Sequence, residues 1–223
     1  MMVATKLSNL FITGCDHNTE WQLPWFVNNF KMHNPNAELM IYDFGMKNNP
    51  YPELSVPLKS DDKGWFKKPS AMMKAALAAN KICWLDTDCY VQENIENIFN
   101  FTEPEKLCMV EDVPWSKRRG ETWHNSGVVA FEGTPSILGK WATEVSYRPI
   151  VGDQEVLHGI VGQALNRMRY IKDLPRAFNV LRLDVLDGTT PDKIKIMHWT
   201  GAKGNEEIRK MITREKIDRK SVV

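Results

Sequence analysis

The stretch that most constrains this chain is KICWL, Lys81 to Leu85, a short apolar run closed by Asp86. It is too short for a stable helix and lacks polar alternation, so it reads as a strand buried on both faces, the habit of sheets covered by helices on either side. Similar runs precede it. LSNLFIT at 7–13 ends in Gly14, and ELMIYDF carries a second strand to Asp43. Between them, apolar residues at Trp21, Trp25, Phe26, Phe30 and Met32 suit a helix capped by Asn18 or Thr19. The opening is therefore β-α-β, with a parallel pairing and a right-handed crossover.

The rest continues the alternation. Pro50, Pro52 and Pro57 mark 45–64 as an irregular connection holding one short strand at LSVPL. A second helix follows, with Pro69 in its first turn and a small-residue face of Ala71, Met72, Ala75, Ala76 and Ala79. Beyond Asp86 the pattern predicts a short helix at ENIENIFNF and strands at LCMVED and GVVAFEG. Helices are predicted at PSILGKWATEVSY and QEVLHGIVGQALNRM, then a last strand at KIKIMHW. This is an α/β chain, and no repeat or composition break divides it.

Composition narrows the function. With 223 residues, 43% of them hydrophobic, one core is expected over 1–204, followed by a basic helix or tail at 205–223. A net charge of +1 supplies no global field for nucleic acid. No apolar run approaches the ~20 residues of a spanning helix, and the first residues lack a basic, then apolar, export signal. Cys15, Cys83, Cys89 and Cys108 form no CxxC pair, so reduced thiols and a cytoplasmic setting are expected.

Chemistry concentrates at WLDTDCYVQENIENIF, residues 84–99. Carboxylates two residues apart just past a buried strand can turn to one side of a loop and hold Mg²⁺ or Mn²⁺ against a diphosphate. Strand ends of this kind line the ligand crevice in α/β sheets. Asp86 and Asp88 could equally cap the following segment.

With Val91, Ile95, Ile98 and Phe99 at their spacings, this stretch resembles the GT-A fold glycosyltransferases, and within them family 8, retaining enzymes that use nucleotide sugars. The resemblance runs over roughly residues 7–204. It implies a Rossmann-like nucleotide-diphospho-sugar transferase fold with a mixed, mostly parallel central sheet flanked by helices. It also implies a divalent ion, Mn²⁺ or Mg²⁺, on Asp86 and Asp88. FITGCDHNTEW resembles the family's base- and ribose-binding strand end, which gives Thr13, Gly14, Asp16 and Asn18 that role. HNSGVVAFEG carries Asn125 and Ser126 to the donor sugar, with Asp112 upstream as a further sugar contact. Asp153 and Gln154 match the Asp-Gln beside the anomeric carbon. IMHWTGAKG resembles the closing His-x-x-Gly-x-x-Lys, which makes His198 a third metal ligand and brings Gly201 and Lys203 to the diphosphate. Here Lys203 is one residue closer than the family spacing, and Gly204-Asn205 replaces the usual Pro-Trp.

Each residue also has a local reading. Asp16, Asn18 and Thr19 suit a turn and helix cap, Asn125 a turn into a strand, Asp153 a helix N-terminus, and His198 a satisfied core histidine. The implied reaction moves a hexose from a nucleotide sugar, a UDP-sugar by resemblance, to a glycan, lipid-linked or protein acceptor, with retention. Two alternatives remain open: a haloacid dehalogenase-like phosphatase with Asp86 as nucleophile, and a non-catalytic nucleotide- or carbohydrate-binding module. Position 86 and Tyr90 speak against the phosphatase. VPWSKRRGETW, with Lys117, Arg118 and Arg119, reads as a mobile acceptor or donor loop. Trp65, Trp115, Trp123 and Trp199 fall near the motifs, whereas Trp21, Trp25, Trp84 and Trp141 read as core. The tail from Lys203 to Lys220 carries seven Lys or Arg against four acids, with Ile208, Met211, Ile212 and Ile217 as a modest stripe. At most it would make peripheral contact with anionic lipid.

Overall fold

The computed structural model describes residues 6–148 and 152–220, with side chains described through 215. The chain order is β1 (Leu7–Cys15), α1 (Leu23–His33), β2 (Leu39–Asp43), β3 (Ser55–Pro57), α2 (Lys68–Ala75), β4 (Ala79–Leu85) and β5 (Cys89–Val91). Then come β6 (Leu107–Glu111), α3 (Val113–Arg119), β7 (His124–Glu132), α4 (Ser136–Tyr147), α5 (Asp153–Val161), α6 (Ala164–Tyr170) and β8 (Ile171–Asp173). The last elements are β9 (Val180–Leu181), α7 (Arg182–Leu186), β10 (Ile196–His198) and α8 (Gly201–Lys220).

The main sheet runs β3-β2-β1-β4-β7-β6-β8. Only β7 is antiparallel to its neighbours; the β3/β2, β2/β1, β1/β4 and β6/β8 pairs are parallel. The expected mixed, mostly parallel α/β sheet is present. β4 is buried as its sequence requires. Ile82 and Trp84 join the core under α2, α4 and α5, while Cys83 and Leu85 face the core under α1 and α8. A second sheet, β5-β10-β9, was not foreseen as a unit. Its strands are three, three and two residues long, too short for periodicity to show.

Several local expectations are corrected. Helix α1 begins at Leu23, after a 3-10 turn at Glu20–Gln22, with Pro24 in its first turn. Neither Asn18 nor Thr19 caps it; the Asn18 N–H and side-chain amide donate instead to Asp16, at 2.9 and 3.1 Å. ENIENIFNF forms a 3-10 helix, Glu96–Phe101. The helix expected at 154–168 is broken into α5 and α6 at Gly162, whose φ of +63° is a left-handed conformation that glycine adopts without strain. VPWSKRR is a helix where a loop was expected. Asp112 caps it by accepting from Trp115 N–H at 3.0 Å, and Gly120 at φ +69° ends it. Its cations are engaged: Arg118 pairs with Asp187 at 2.9 Å, and Arg119 lies over the rings of Trp115 and Trp123.

Helix α8 begins at Gly201, so the 204/205 division falls inside it. Its stripe faces protein: Ile208 is buried, and Met211 and Ile212 pack on the same core. The Ile217 side chain lies outside the described residues. Among the described residues no helix is long and apolar enough to cross a membrane.

Candidate active site

β1 and β4 are parallel neighbours, but β1 leads on to β2 on one side while β4 lies on the other. Such a reversal opens a crevice at the strands' carboxyl ends. Gly14, Cys15 and Asp16 enter it from β1, and Asp86, Thr87 and Asp88 from β4. Because β7 runs antiparallel to β4, its amino end meets β4's carboxyl end. Leu85 pairs with Val128, and Asp86 N–H donates to the Gly127 carbonyl at 2.8 Å. Asn125 and Ser126 are thereby set beside Asp86. The small sheet does the same for His198, which pairs with Cys89 on β5, while Trp199 N–H donates to the Asp88 carbonyl at 3.0 Å.

The cleft has two lobes. The larger, about 550 Å³, is lined by Gly14, Asp16, Asn18, Gln22, Phe44, Lys63, Trp65 and Asn205 among others. The smaller, about 270 Å³, is lined by Asn125, Ser126, Asp153, Gln154, Glu155, His198 and Thr200. Lys68, Asp86, Asp88, Trp65 and Gly201 border both lobes, so the acidic pair stands where they join. Glycine at position 14 is a packing requirement, since a Cβ there would lie 2.6 Å from Phe44 Cζ. Phe44 in turn lies parallel to Trp84, with ring planes 6° apart.

One buried cation organises the junction. Lys68 Nζ is 3.0 Å from Asp86 Oδ1 and 3.2 Å from Asp153 Oδ2, and it donates to the Ser126 carbonyl and hydroxyl at 3.2 and 3.3 Å. Burial opposes the ammonium's charge, yet Asp153 and Asp86 hold its pKa above the ordinary lysine value. Burial likewise raises the Asp86 carboxyl, but Lys68, then His198 and the Trp84 indole, outweigh it and leave the group lowered. The indole N–H of Trp84 donates to Asp86 Oδ1 at 2.6 Å, so a core residue also aims the site. Ser126 Oγ donates to Asp153 Oδ2 at 2.9 Å. Gln154 Oε1 accepts from Asn125 Nδ2 at 3.0 Å and from Ser126 N–H at 3.2 Å. Trp141, buried in α4, donates to the Asp153 carbonyl at 2.9 Å and fixes the start of α5.

At the other end, His198 Nε2 lies 3.0 Å from Asp88 Oδ1 and 3.8 Å from Asp86 Oδ2. Burial works against the imidazolium, but Asp88 outweighs it and raises its pKa. The ring packs directly on β7: a Cβ on Gly127 would stand 2.0 Å from His198 Cε1. Asp88, Cys89 and His198 offer ligand atoms within 4.8 Å of one another. Burial, with Asp88 and Asp86 nearby, pushes the Cys89 thiol well up, and a soft sulfur suits a hard divalent ion less well than carboxylate or imidazole. Asp88 and His198, with Asp86 Oδ2 3.8 Å from the same imidazole, could offer two carboxylates and a ring nitrogen, a set that fits Mg²⁺ or Mn²⁺.

The remaining expected residues are placed as follows. Asp16, Asn18, Gly14 and Gly201 line the larger lobe; Thr13 is fully buried in β1, off the lining. Asp112 is also buried off the lining, its carboxyl raised by burial against the opposing Trp115 N–H. Lys203 is exposed on the first turn of α8 and borders neither lobe. The Gly204-Asn205 departure has a structural reason. A Cβ at 204 would meet the Trp199 carbonyl oxygen at 1.9 Å, and Asn205 turns into the cleft, where its Oδ1 accepts from Gln22 Nε2 at 2.7 Å. Gln22 Oε1 also accepts from the Thr87 hydroxyl, linking β1's loop, the acidic loop and α8. Sequence reasoning missed Gln22, Asn205, Asn179, the bridging position of Lys68 and the indole of Trp84. No local pattern marks Gln22, Asn205, Asn179 or Lys68, since their partners lie far along the chain. The Trp84 indole reaches only two residues on, to Asp86, and reading that residue as core hid its role.

No protein-family model and no curated protein matches the sequence. Solved structures do match. The galactosyltransferase LgtC, solved with donor and acceptor sugar analogs, is similar over 86% of this chain and 87% of its own, with TM-score 0.60 and 14% identity. A glycosyltransferase involved in glycosylation of the major capsid of PBCV-1 covers 92% of this chain and 99% of its own, with TM-score 0.62 and 13% identity. GlyE from Streptococcus pneumoniae TIGR4 gives 0.61 and 16% identity over 88% of this chain and 55% of its own. The likeness establishes the fold, the GT-A glycosyltransferase fold to which the sequence motifs pointed.

Proposed function

We propose that this chain is a glycosyltransferase that moves a hexose from a nucleoside diphosphate sugar, a UDP-sugar by the family resemblance, to a glycan, lipid-linked or protein acceptor. The observation that carries this reading is the position of the acidic pair. Asp86 and Asp88 stand at the junction of a larger lobe that can take a nucleoside and a smaller one lined by Asn125, Ser126, Asp153 and Gln154. A diphosphate spans such a junction, with the sugar in the smaller lobe.

Asp86, Asp88 and His198 would hold the divalent ion, whose charge offsets that of the departing diphosphate. The chain's own residues do the rest. Asp16 and Asn18 offer acceptors and an amide to base and ribose. Lys68 keeps Asp86 and Asp153 aligned across the junction instead of reaching for phosphate, because its hydrogen bonds are already taken. Asp153 presents a fixed carboxylate to the sugar lobe, placed to stabilise positive charge developing at the anomeric carbon. Gln154, held by two donors, orients hydroxyls beside it. Retention of configuration follows the family expectation. The phosphatase alternative is disfavoured because Asp86 lies after a full β-α-β unit, Tyr90 stands two residues beyond Asp88, and the solved structures of similar fold are glycosyltransferases.

The test is nucleoside diphosphate release from a panel of UDP-, GDP- and ADP-sugars with Mn²⁺, then with chelator. Chelator-sensitive release from one donor is the expected result. Metal-dependent nucleotide binding without release or transfer would favour the non-catalytic module, which the outward position of Lys203 suits.

A further inference from the structure

We propose that Asn179, which borders neither lobe of the cleft, is a positioning residue that sets the tautomer of His198 and couples the metal end of the site to its sugar end. The proposal deepens the glycosyltransferase reading and, for its activity readout, rests on it. Asn179 lies between a 3-10 turn at Arg176–Phe178 and β9, and only 1% of it is exposed. Its Oδ1 is 3.0 Å from His198 Nδ1, and its Nδ2 is 2.9 Å from Asn125 Oδ1.

The direction of every bond in this chain is forced. Backbone N–H groups only donate. Gln154 must present Oε1 to Ser126 N–H, at 3.2 Å, so Asn125 must present its NH₂ to Gln154. Asn125 must present Oδ1 to Gly127 N–H, at 2.9 Å, which agrees. That same Oδ1 then takes its second hydrogen bond from the NH₂ of Asn179. Asn179 is left with its oxygen toward His198, so the imidazole proton sits on Nδ1. Two backbone donors on β7 thus orient three amides and one imidazole. In the neutral ring the Nε2 lone pair is directed at the space beside Asp88, where a cation would lie. Partners of this kind fix the orientation and basicity of metal-ligating histidines.

Two variants separate the arms. N179A removes both hydrogen bonds; N179D keeps an acceptor for Nδ1–H but loses the donor to Asn125. Each is checked for native folding by circular dichroism. The ring tautomer is read by long-range ¹H–¹⁵N NMR of the metal-free protein at alkaline pH, and Mn²⁺ affinity by electron paramagnetic resonance. In wild type, His198 is expected as the Nδ1–H tautomer. In N179A it shifts toward Nε2–H, facing Asp88, and Mn²⁺ affinity falls by about 10-fold or more. N179D is expected to retain tautomer and affinity while losing donor turnover through kcat, because the Oδ1 of Asn125, the residue that holds Gln154, then faces a carboxylate oxygen in place of a donor. A folded N179A with unchanged tautomer and Mn²⁺ affinity overturns the proposal. Should the alanine variant not fold, N179D decides: loss of Mn²⁺ affinity in step with turnover would mean a purely structural role. A wild-type protein that turns over no donor would strike at the transferase reading alone, since tautomer and affinity still test Asn179.

Discussion

Two side-chain clusters built on imidazoles flank the start of β7 and are wired in opposite senses. On the cleft side, His198 donates from Nδ1 to Asn179 and turns Nε2 toward Asp88 and Asp86. On the other side, Arg167 donates to Nδ1 of both His124 and His158, at 3.0 and 2.8 Å. Those rings must therefore carry their protons on Nε2, which meets Asp173 at 2.7 Å and Glu121 at 3.1 Å. His158 also stacks on Trp123, with 3.4 Å between ring centroids. The contrast teaches what separates a candidate ligand from a strut. In every case Nε2 faces a carboxylate, and the difference lies at Nδ1. An amide oxygen takes the Nδ1 proton of His198 and leaves Nε2 its lone pair for a cation, whereas Arg167 occupies the Nδ1 lone pairs of His124 and His158 and puts their protons on Nε2. The same wiring sets the charges: His198 is shifted up by its carboxylates, while burial and then Arg167 shift His158 down.

The largest expected effect falls on the cleft side. Asp88→Asn should abolish Mn²⁺-dependent donor turnover, by at least about 100-fold, while circular dichroism stays native. Full activity in a folded variant would remove Asp88 from the site. Next is Gly127→Ala, whose Cβ would occupy the place of the His198 ring. It should weaken Mn²⁺ binding by about 10- to 100-fold and lower stability by roughly 1–3 kcal/mol through overpacking, read by calorimetric titration and urea unfolding. The opposite cluster supplies the control. Arg167→Met leaves a buried ring nitrogen of His124 and a half-buried one of His158 without a donor and should cost about 2 kcal/mol of stability with Mn²⁺ affinity unchanged. An equal loss of metal affinity would mean that the two clusters are not separate.

The smallest effect is a difference in sign with pH. The pKa of His158 is lowered in the folded state, so the unfolded chain binds more protons. Its contribution is complete above the ordinary histidine value of 6.5 and is lost as pH falls below it. His198 is raised, so its contribution in the metal-free protein is complete below 6.5 and is lost as pH rises through its folded value. Urea midpoints across this range should show His158→Gln flattening the acid-side loss and His198→Gln flattening the alkaline-side loss. Matching slopes in the two variants would contradict the assigned wiring.

What was legible in the sequence follows the range of the forces involved. β4 could be read because five residues carry its double burial, and Asp86 and Asp88 because topology places a strand's carboxyl end at the crevice. The Asn125 and Asp153 motifs, carried by resemblance, meet through Lys68 as side chains around one ammonium. Asn179, Gln22 and Asn205 could not be read, since an amide's role depends on which distant donors face it. The cap expected at Asn18 or Thr19 failed for a local reason: the chain first turns at Asp16, whose carboxylate takes the Asn18 N–H and amide and whose carbonyl takes the Thr19 and Glu20 N–H groups, and α1 starts only at Leu23. The loop expected at VPWSKRR failed because Asp112 and Gly120 together supply both ends of a helix.

Helix α8 starts at the rim of the cleft and runs for 20 residues, about 30 Å at 1.5 Å per residue. Its first turn presses Gly204 on Trp199 and reaches Gln22 through Asn205, and the next lays Arg209 over Trp21, 3.8 Å from the ring centre. It is a lever with its short arm in the cleft. A tether or bulky label fixed to its outer turns would be felt at the larger lobe, so immobilising this protein through that helix would handicap any binding assay before it began.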